Sequence, residues 1–173
     1  ASDEFIEIHN PGDTPASVKG VLLQYASASG TFNNIVSGGI SDGTLPAHGY
    51  FLVTSGGTYW SGTLAADFKP ATAALGLSGT GGSIRLLIGT TVLDMVGFGT
   101  GQTFEGTTGA APIGTLLAST ERKAKADSTT LSMGPGGADE KAGNGYDSND
   151  NKNDFALRVV RDPQNSQSDI EKH

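Results

Sequence analysis

The segment SIRLLIGTTVLDMVGFG, residues 83–99, constrains this chain more than any other. Ile84, Leu86 and Ile88 fall on alternate positions, Gly89-Thr90-Thr91 reads as a turn, and Val92 to Phe98 returns alongside. Alternation at period two marks a strand, and two such runs joined through glycine predict a β-hairpin. A hairpin of this kind needs a sheet to join and a second layer to cover its apolar side. The rest of the chain offers elements of the same sort. With 26 glycines and 7 prolines among 173 residues, and Ser and Thr recurring throughout, turns interrupt the chain before a long helix can form.

Other strands follow by the same reasoning. EFIEIHNPGDTP alternates Phe5, Glu7 and His9 with Ile6 and Ile8, then meets a Pro-Gly turn. VKGVLLQYAS is a second strand with NIVSGG as its expected partner, which makes the uncharged stretch SASGTFNNIVSGG, residues 27–39, the solvated connection of a hairpin. After a turn at Leu45-Pro46-Ala47-His48-Gly49, the run Tyr50, Phe51, Leu52 and Val53 is apolar without alternation, as in a strand buried on both faces. Residues 58–82 read as irregular with one short helix, Ala66, Ala71, Ala73, Ala74 and Leu75 offering a helical turn. ASTERKAKA is a short polar strand, and FALRVVRDPQNS is a last strand ending in a turn. The expectation is all-β, with about seven to nine strands in a two-sheet sandwich. No fixed-period repeat is visible. Residues 1–166 form a single domain on this reading, and 167–173 a polar C-terminal tail.

Composition narrows the function. The net charge is −7, and the 11 Lys and Arg residues are scattered or locally matched by acids. Such a surface has no footprint for a phosphate backbone, so no nucleic-acid partner is expected. The chain has no Cys, which removes disulfide frameworks and thiolate metal sites. It has no run of eighteen apolar residues, so no membrane helix is expected either. It opens on ASDEFIEIHNP without an initiator Met and reads as a piece of a longer protein.

Taken in order, the blocks EFIEIHNP, LPAHGYFLV, VLDMVGFGTG with FEG after it, ERK, DSNDNKNDF and DPQNS resemble the lamin tail domain, and more narrowly its bacterial branch. The opening motif of acid, Phe, Ile, Glu, aliphatic, any residue, Asn is matched by Glu4, Phe5, Ile6, Glu7, Ile8 and Asn10. The closing pattern is matched by Asp147, Asn149, Asn151, Asp154, Phe155, Pro163, Asn165 and Ser166. The resemblance spans residues 3–166 and implies an immunoglobulin-like β-sandwich with long Gly-rich loops. It further implies a non-enzymatic module of extracellular or cell-surface proteins, acting in protein–protein interaction, adhesion or assembly. Such modules sometimes accompany secreted nucleases, so the alternative is an accessory domain of a secreted nuclease or other multidomain hydrolase that aids substrate or divalent-cation capture. Family members carry a short strand before the Phe-Ile-Glu motif, and here the first strand is expected to be missing. An open edge beside Glu4 to His9 would then invite the chain's own tail, a second copy by strand exchange, or a partner peptide.

Two clusters stand out as candidate sites. In DSNDNKND, Asp147, Asn149, Asp150, Asn151 and Asp154 place oxygen donors close together, and a hard cation such as Ca²⁺ takes six to eight of these. The run lacks the sixth-position Gly and the closing Glu of an EF-hand loop. Asn and Asp also make tight turns through their own side chains, which is the preferred reading. Glu7 lies in an apolar strand, where a carboxylate needs a partner, and a structural ion pair with Arg122 or Lys123 is expected rather than acid catalysis. His9 shares its face but has no evident nucleophile beside it. His48 falls where the family tends to have Gly and is expected at positive φ. GLSGTGGS lacks the Lys-Ser/Thr of a phosphate loop. Tyr59-Trp60 is either an exposed aromatic platform or a lid folded over the end of the core, more often the latter.

Overall fold

A computed structural model describes residues 3–70, 75–115 and 117–172. Among these residues ten strands and two single-turn helices follow one another. The strands are β1 (Phe5–His9), β2 (Ala16–Ser17), β3 (Leu22–Ser27), β4 (Asn33–Asn34), β5 (Thr44–Leu45), β6 (Tyr50–Thr54), β7 (Gly81–Ile88), β8 (Thr91–Gly99), β9 (Ser119–Arg122) and β10 (Phe155–Arg158). A 3₁₀ turn covers Gly57–Tyr59, and one α-helical turn, α1, covers Asn151–Asp154. The fold is all-β, as expected. Three of the strands are two-residue pieces, which leaves seven of ordinary length. The helical reading over Ala71, Ala73 and Ala74 lies outside the described residues.

The predicted central hairpin is present as β7 and β8, but its turn is tighter than the sequence suggested. Ile88 pairs with Thr91, so only Gly89 and Thr90 turn the chain, with Gly89 at φ +59°. A positive φ at the first of two central residues is the type II′ pattern that matches the strand twist and favours Gly. The register slips once: Leu86 faces Asp94 and Leu87 faces Val92, leaving Leu93 as the extra residue of a bulge. β3 pairs with β7 and β4 with β3, giving the order β4-β3-β7-β8. The stretch 27–39 is accordingly the connection of the β3–β4 hairpin, and its second strand is only Asn33–Asn34.

Alternation assigns the faces. Leu23 lies opposite Leu86 and Tyr25 opposite Ile84, and Leu23, Ile84 and Leu86 turn inward. Gln24 and Arg85 turn out and bond to each other at 2.7 Å, with the guanidinium over the Phe32 ring at 4.0 Å. The opposing layer is the antiparallel pair of β1 and β6, which contributes Ile6, Ile8, Phe51 and Val53. Val18, Val21, Ile40, Leu45 and Leu75 close this core. It is a sandwich of one solvated sheet and one that is covered twice, because all five residues of β6 are buried. β9 and β10 form their own antiparallel pair, with Phe155 opposite Arg122.

Residues 164–171 do not hang free. Glu171 is buried, and its N–H donates to the His48 carbonyl at 2.9 Å. The polar tail expected from 167 onward is therefore part of the packed domain as far as Glu171.

Candidate functional site

Of the two clusters that the sequence singled out, the Asp/Asn run closes the domain beside β8. Asp147 accepts the Asn149 N–H at 2.9 Å in an Asx-turn, and Asn149 takes the left-handed conformation at φ +58°. Asp154 is fully buried and accepts from Ser148 Oγ at 2.5 Å, Ser148 N at 3.0 Å and Asp150 N at 2.9 Å. Asp150 accepts the Thr108 hydroxyl at 2.5 Å. Four of the five side chains named for Ca²⁺, those of Asp147, Asp150, Asn151 and Asp154, thus go to separate partners. Among the described residues no three His, Asp or Glu side chains gather around a point where they could hold an ion.

Asn151, also fully buried, has a more specific job. Its Oδ1 accepts from Gly97 N at 2.8 Å and Glu105 N at 3.0 Å, and its Nδ2 donates to the Met95 carbonyl at 3.0 Å and to Glu105 Oε2 at 3.1 Å. The pair of bonds to Met95 and Gly97 is what a neighbouring strand would make, so the side-chain amide pairs part of β8's outer edge. The absence of a Cβ at Gly97 lets Thr103 and Phe104 cross it; any larger residue would bring its Cβ to 2.3 Å from the Thr103 carbonyl oxygen. A little further along, Ala111 N and O bond to Gly97 O and Gly99 N and continue the cover. An edge protected in this way resists pairing with other chains.

Arg122 is the cation of this region, but its partner is not Glu7. The guanidinium grips both oxygens of Asp94 at 2.7 and 2.9 Å, lies 3.3 Å from Asp147, and stacks on Phe155 at 4.6 Å. The expected Glu7–Arg122 pair is corrected here: alternation placed each residue on a face, whereas the partner depends on which segments come together, and Arg122 of β9 reaches Asp94 of β8. Lys123 does not supply the alternative, since no ion pair of Glu7 with a Lys or Arg exists among the described residues. Burial, with Asp94 and Asp147 nearby, raises the pKa of Glu105 at the margin of the cluster.

Glu7 belongs to a second polar cluster, on the outer face of β1 and β6. Its Oε2 accepts the Gln164 N–H at 2.5 Å. Beside it Tyr50, wholly buried, donates to Glu171 Oε2 at 2.7 Å and reaches Asn144 Oδ1 at 3.0 Å. Asn144 in turn donates to Glu121 at 3.0 Å and to the Arg122 carbonyl at 2.8 Å. Arg158, buried, lies 3.4 Å from Glu121 and 3.2 Å from Asp162. Burial is the main cause that pushes the Glu7 carboxyl up to about 8 and raises Glu121 and the Tyr50 phenol as well. His9 packs its ring against Tyr50 at 4.8 Å between centroids. Sequence reading missed Tyr50, Arg158 and Glu171 here. Tyr50 sits in an apolar run, and 121 residues separate it from Glu171, so no local pattern joins them.

The remaining candidates fall where turn and packing chemistry place them. His48 does adopt positive φ, at +51°, and its ring lies 2.8 Å from Asp13. Trp60 folds back: its indole donates to the Leu64 carbonyl at 3.1 Å, and the ring meets Phe5 edge-on at 6.0 Å. A shallow polar groove of about 620 Å³ runs beside it between residues 60–64 and the segment 161–169. No helix among the described residues is long and apolar enough to cross a membrane. No protein-family model matches the chain, and no curated protein matches it either.

Proposed function

We propose that this chain is a non-enzymatic module of a bacterial extracellular or cell-surface protein, an immunoglobulin-like sandwich allied to the lamin tail domains. Its work on this reading is protein–protein contact in adhesion, assembly or the positioning of neighbouring domains. The ordered motif blocks from Glu4 to Ser166 support the alliance. The use of cations speaks against the nuclease accessory: Arg122, Arg158 and Arg161 are each held by carboxylates and are not gathered into a basic face.

The observation that carries the reading is the edge of β1. Glu4 accepts from Ser55 and Asn10 donates to Gly49, which puts the even-numbered residues of β1 in hydrogen-bonded register with β6. The main-chain groups of Phe5 and Glu7 therefore point to the opposite side, where no described strand pairs with β1. An unpaired strand edge is a template for β-augmentation. The test is selection of extended peptides on the immobilised chain, followed by hydrogen exchange. Protection gained at the Phe5 and Glu7 amides supports the proposal. Protection elsewhere, or turnover of ester, phosphodiester or glycoside substrates by the chain alone, opposes it.

A further inference from the structure

The two faces of β1 make different demands on anything that pairs with its free edge. Phe5, Glu7 and His9 lie on the outer face, while Ile6 and Ile8 turn inward to the core. A segment hydrogen-bonded to the main-chain groups of Phe5 and Glu7 must follow the same alternation. Its residue beside Glu7 falls on the outer face, with Cβ atoms about 5 Å apart. The residues on either side of that one fall beside Ile6 and Ile8 on the inner face.

The outer position meets a carboxyl that the rest of the chain leaves short of a cation. Glu7 is partly exposed. Its Oε2 takes the Gln164 N–H, whereas Oε1 accepts no hydrogen bond among the described residues and keeps contact with solvent. The acids near it are served. Arg158 lies 3.4 Å from Glu121 and 3.2 Å from Asp162, and Lys141 lies 3.7 Å from Glu171. Glu7 itself has no Lys or Arg in ion-pair contact among the described residues. Gln164 also donates its side-chain amide to Glu171 Oε1 at 3.0 Å, so a second carboxyl stands on this side of β1. The inner positions ask for the opposite chemistry. Ile6 is only partly buried, and an aliphatic side chain beside it removes further apolar area from water.

The strands of the chain itself do not supply this pattern. Among the described residues three strand positions carry Lys or Arg, namely Arg85, Arg122 and Arg158. β7, which holds Arg85, is already paired on both edges by β3 and β8. Arg122 grips Asp94, and Arg158 is taken up by Glu121 and Asp162. A second copy would therefore bring no free strand cation to Glu7.

We propose, resting on the edge reading above, that β1 recognises an extended basic segment of a partner protein, with Lys or Arg beside Glu7 and aliphatic residues beside Ile6 and Ile8. Main-chain pairing supplies the general affinity, and the charge pair at Glu7 fixes the register and selects the partner.

The probes are short peptides that alternate valine and threonine, with lysine, glutamine or glutamate replacing one central threonine. Calorimetry on the full chain measures affinity, and hydrogen exchange locates the bound peptide. The lysine peptide is expected to bind about tenfold more tightly than the glutamine peptide, and the glutamate peptide most weakly, with protection gained at the Phe5 and Glu7 amides. Moving the lysine by one position turns it to the inner face and should erase its advantage. Attraction to the net charge of −7 alone would keep that advantage, and such a result overturns the proposal. In Glu7→Gln, which keeps an acceptor for Gln164, the lysine and glutamine peptides are expected to bind alike. Should the variant not fold, the displaced-lysine comparison in the wild type decides. Equal affinities for lysine and glutamine peptides, with Phe5 and Glu7 protected, overturn the basic preference and leave the edge reading standing. No protection at those amides by any peptide overturns both, and their protection by self-association without peptide overturns the foreign partner.

Discussion

Ile6, Ile8, Phe51 and Val53 lie on one face of the β1–β6 pair, and Glu7, His9, Tyr50 and Leu52 lie on the other. The same two strands carry both sets, in strict alternation. On the inner face each side chain contributes through area removed from water, about 1.5–3 kcal/mol apiece, with no directional demand on its neighbours. On the outer face burial costs energy unless each polar atom finds a partner, and the partners come from β9, the 140s loop and the last residues of the chain. One sheet thus joins a core held by packing to a core held by matched hydrogen bonds, and the titratable groups lie in the second.

Truncation on the apolar face has the largest expected effect. Phe51→Ala removes a side chain that is 2% exposed and should cost about 3–5 kcal/mol, with the same loss at pH 5 and pH 8 in denaturant titrations. A strongly pH-dependent loss would erase the distinction between the faces. Asn151→Ala probes the polar closure of β8. It leaves Gly97 N, Glu105 N and the Met95 carbonyl without their partner, and about 3 kcal/mol of destabilisation is expected by the same assay. Cost near zero would show that water replaces the amide at no penalty.

Tyr50→Phe deletes only the hydroxyl between Glu171 and Asn144 and should cost about 1–2 kcal/mol. Its effect should be accompanied by faster exchange of the Glu171 amide, which an inner-face variant would not produce. Glu7→Gln is expected to matter least at pH 5, where the native carboxyl is already neutral. Between about 4.5 and 8 the wild type loses stability as pH rises, because the native state keeps a proton that the unfolded chain has released, so the variant should gain on it steadily. Parallel stability–pH curves for the two proteins would remove Glu7 from the outer-face cluster. Last, calorimetric titration with millimolar Ca²⁺ is expected to give no binding heat, since Asp154, Asn151 and Asp150 already accept from Ser148, Gly97, Glu105 and Thr108. A saturable exotherm would restore the metal reading of the Asp/Asn run.

Much of the fold was legible because it is written locally. The Gly89 hairpin, the doubly buried Tyr50 to Val53 run and the positive φ of His48 and Asn149 each depend on a few adjacent residues. The turn reading of DSNDNKND belongs with them, as Asx-turn and capping chemistry acts within four to six residues. What misled was pairing at a distance. Glu7 was correctly seen to need a partner, but its donor is a main-chain amide 157 positions away. Arg122 went instead to Asp94, because α1, which contacts both β8 and β10, brings the β9–β10 pair within side-chain reach of β8. Nothing in the spelling of the final residues distinguishes Glu171, which is buried, from the exposed Lys172 beside it.

By itself, then, the sequence determined the all-β class, the turn positions and the inward set of aliphatic side chains, since steric preference and period-two alternation operate between near neighbours. Tertiary structure alone decided which carboxyl meets which donor, how Asn151 came to pair the edge of β8, and that residues 164–171 pack against the outer face of β1 and β6. Burial is satisfied by many arrangements of greasy surface. A buried hydrogen bond is satisfied only by a particular atom at a particular distance and angle, and those are settled when distant segments come together.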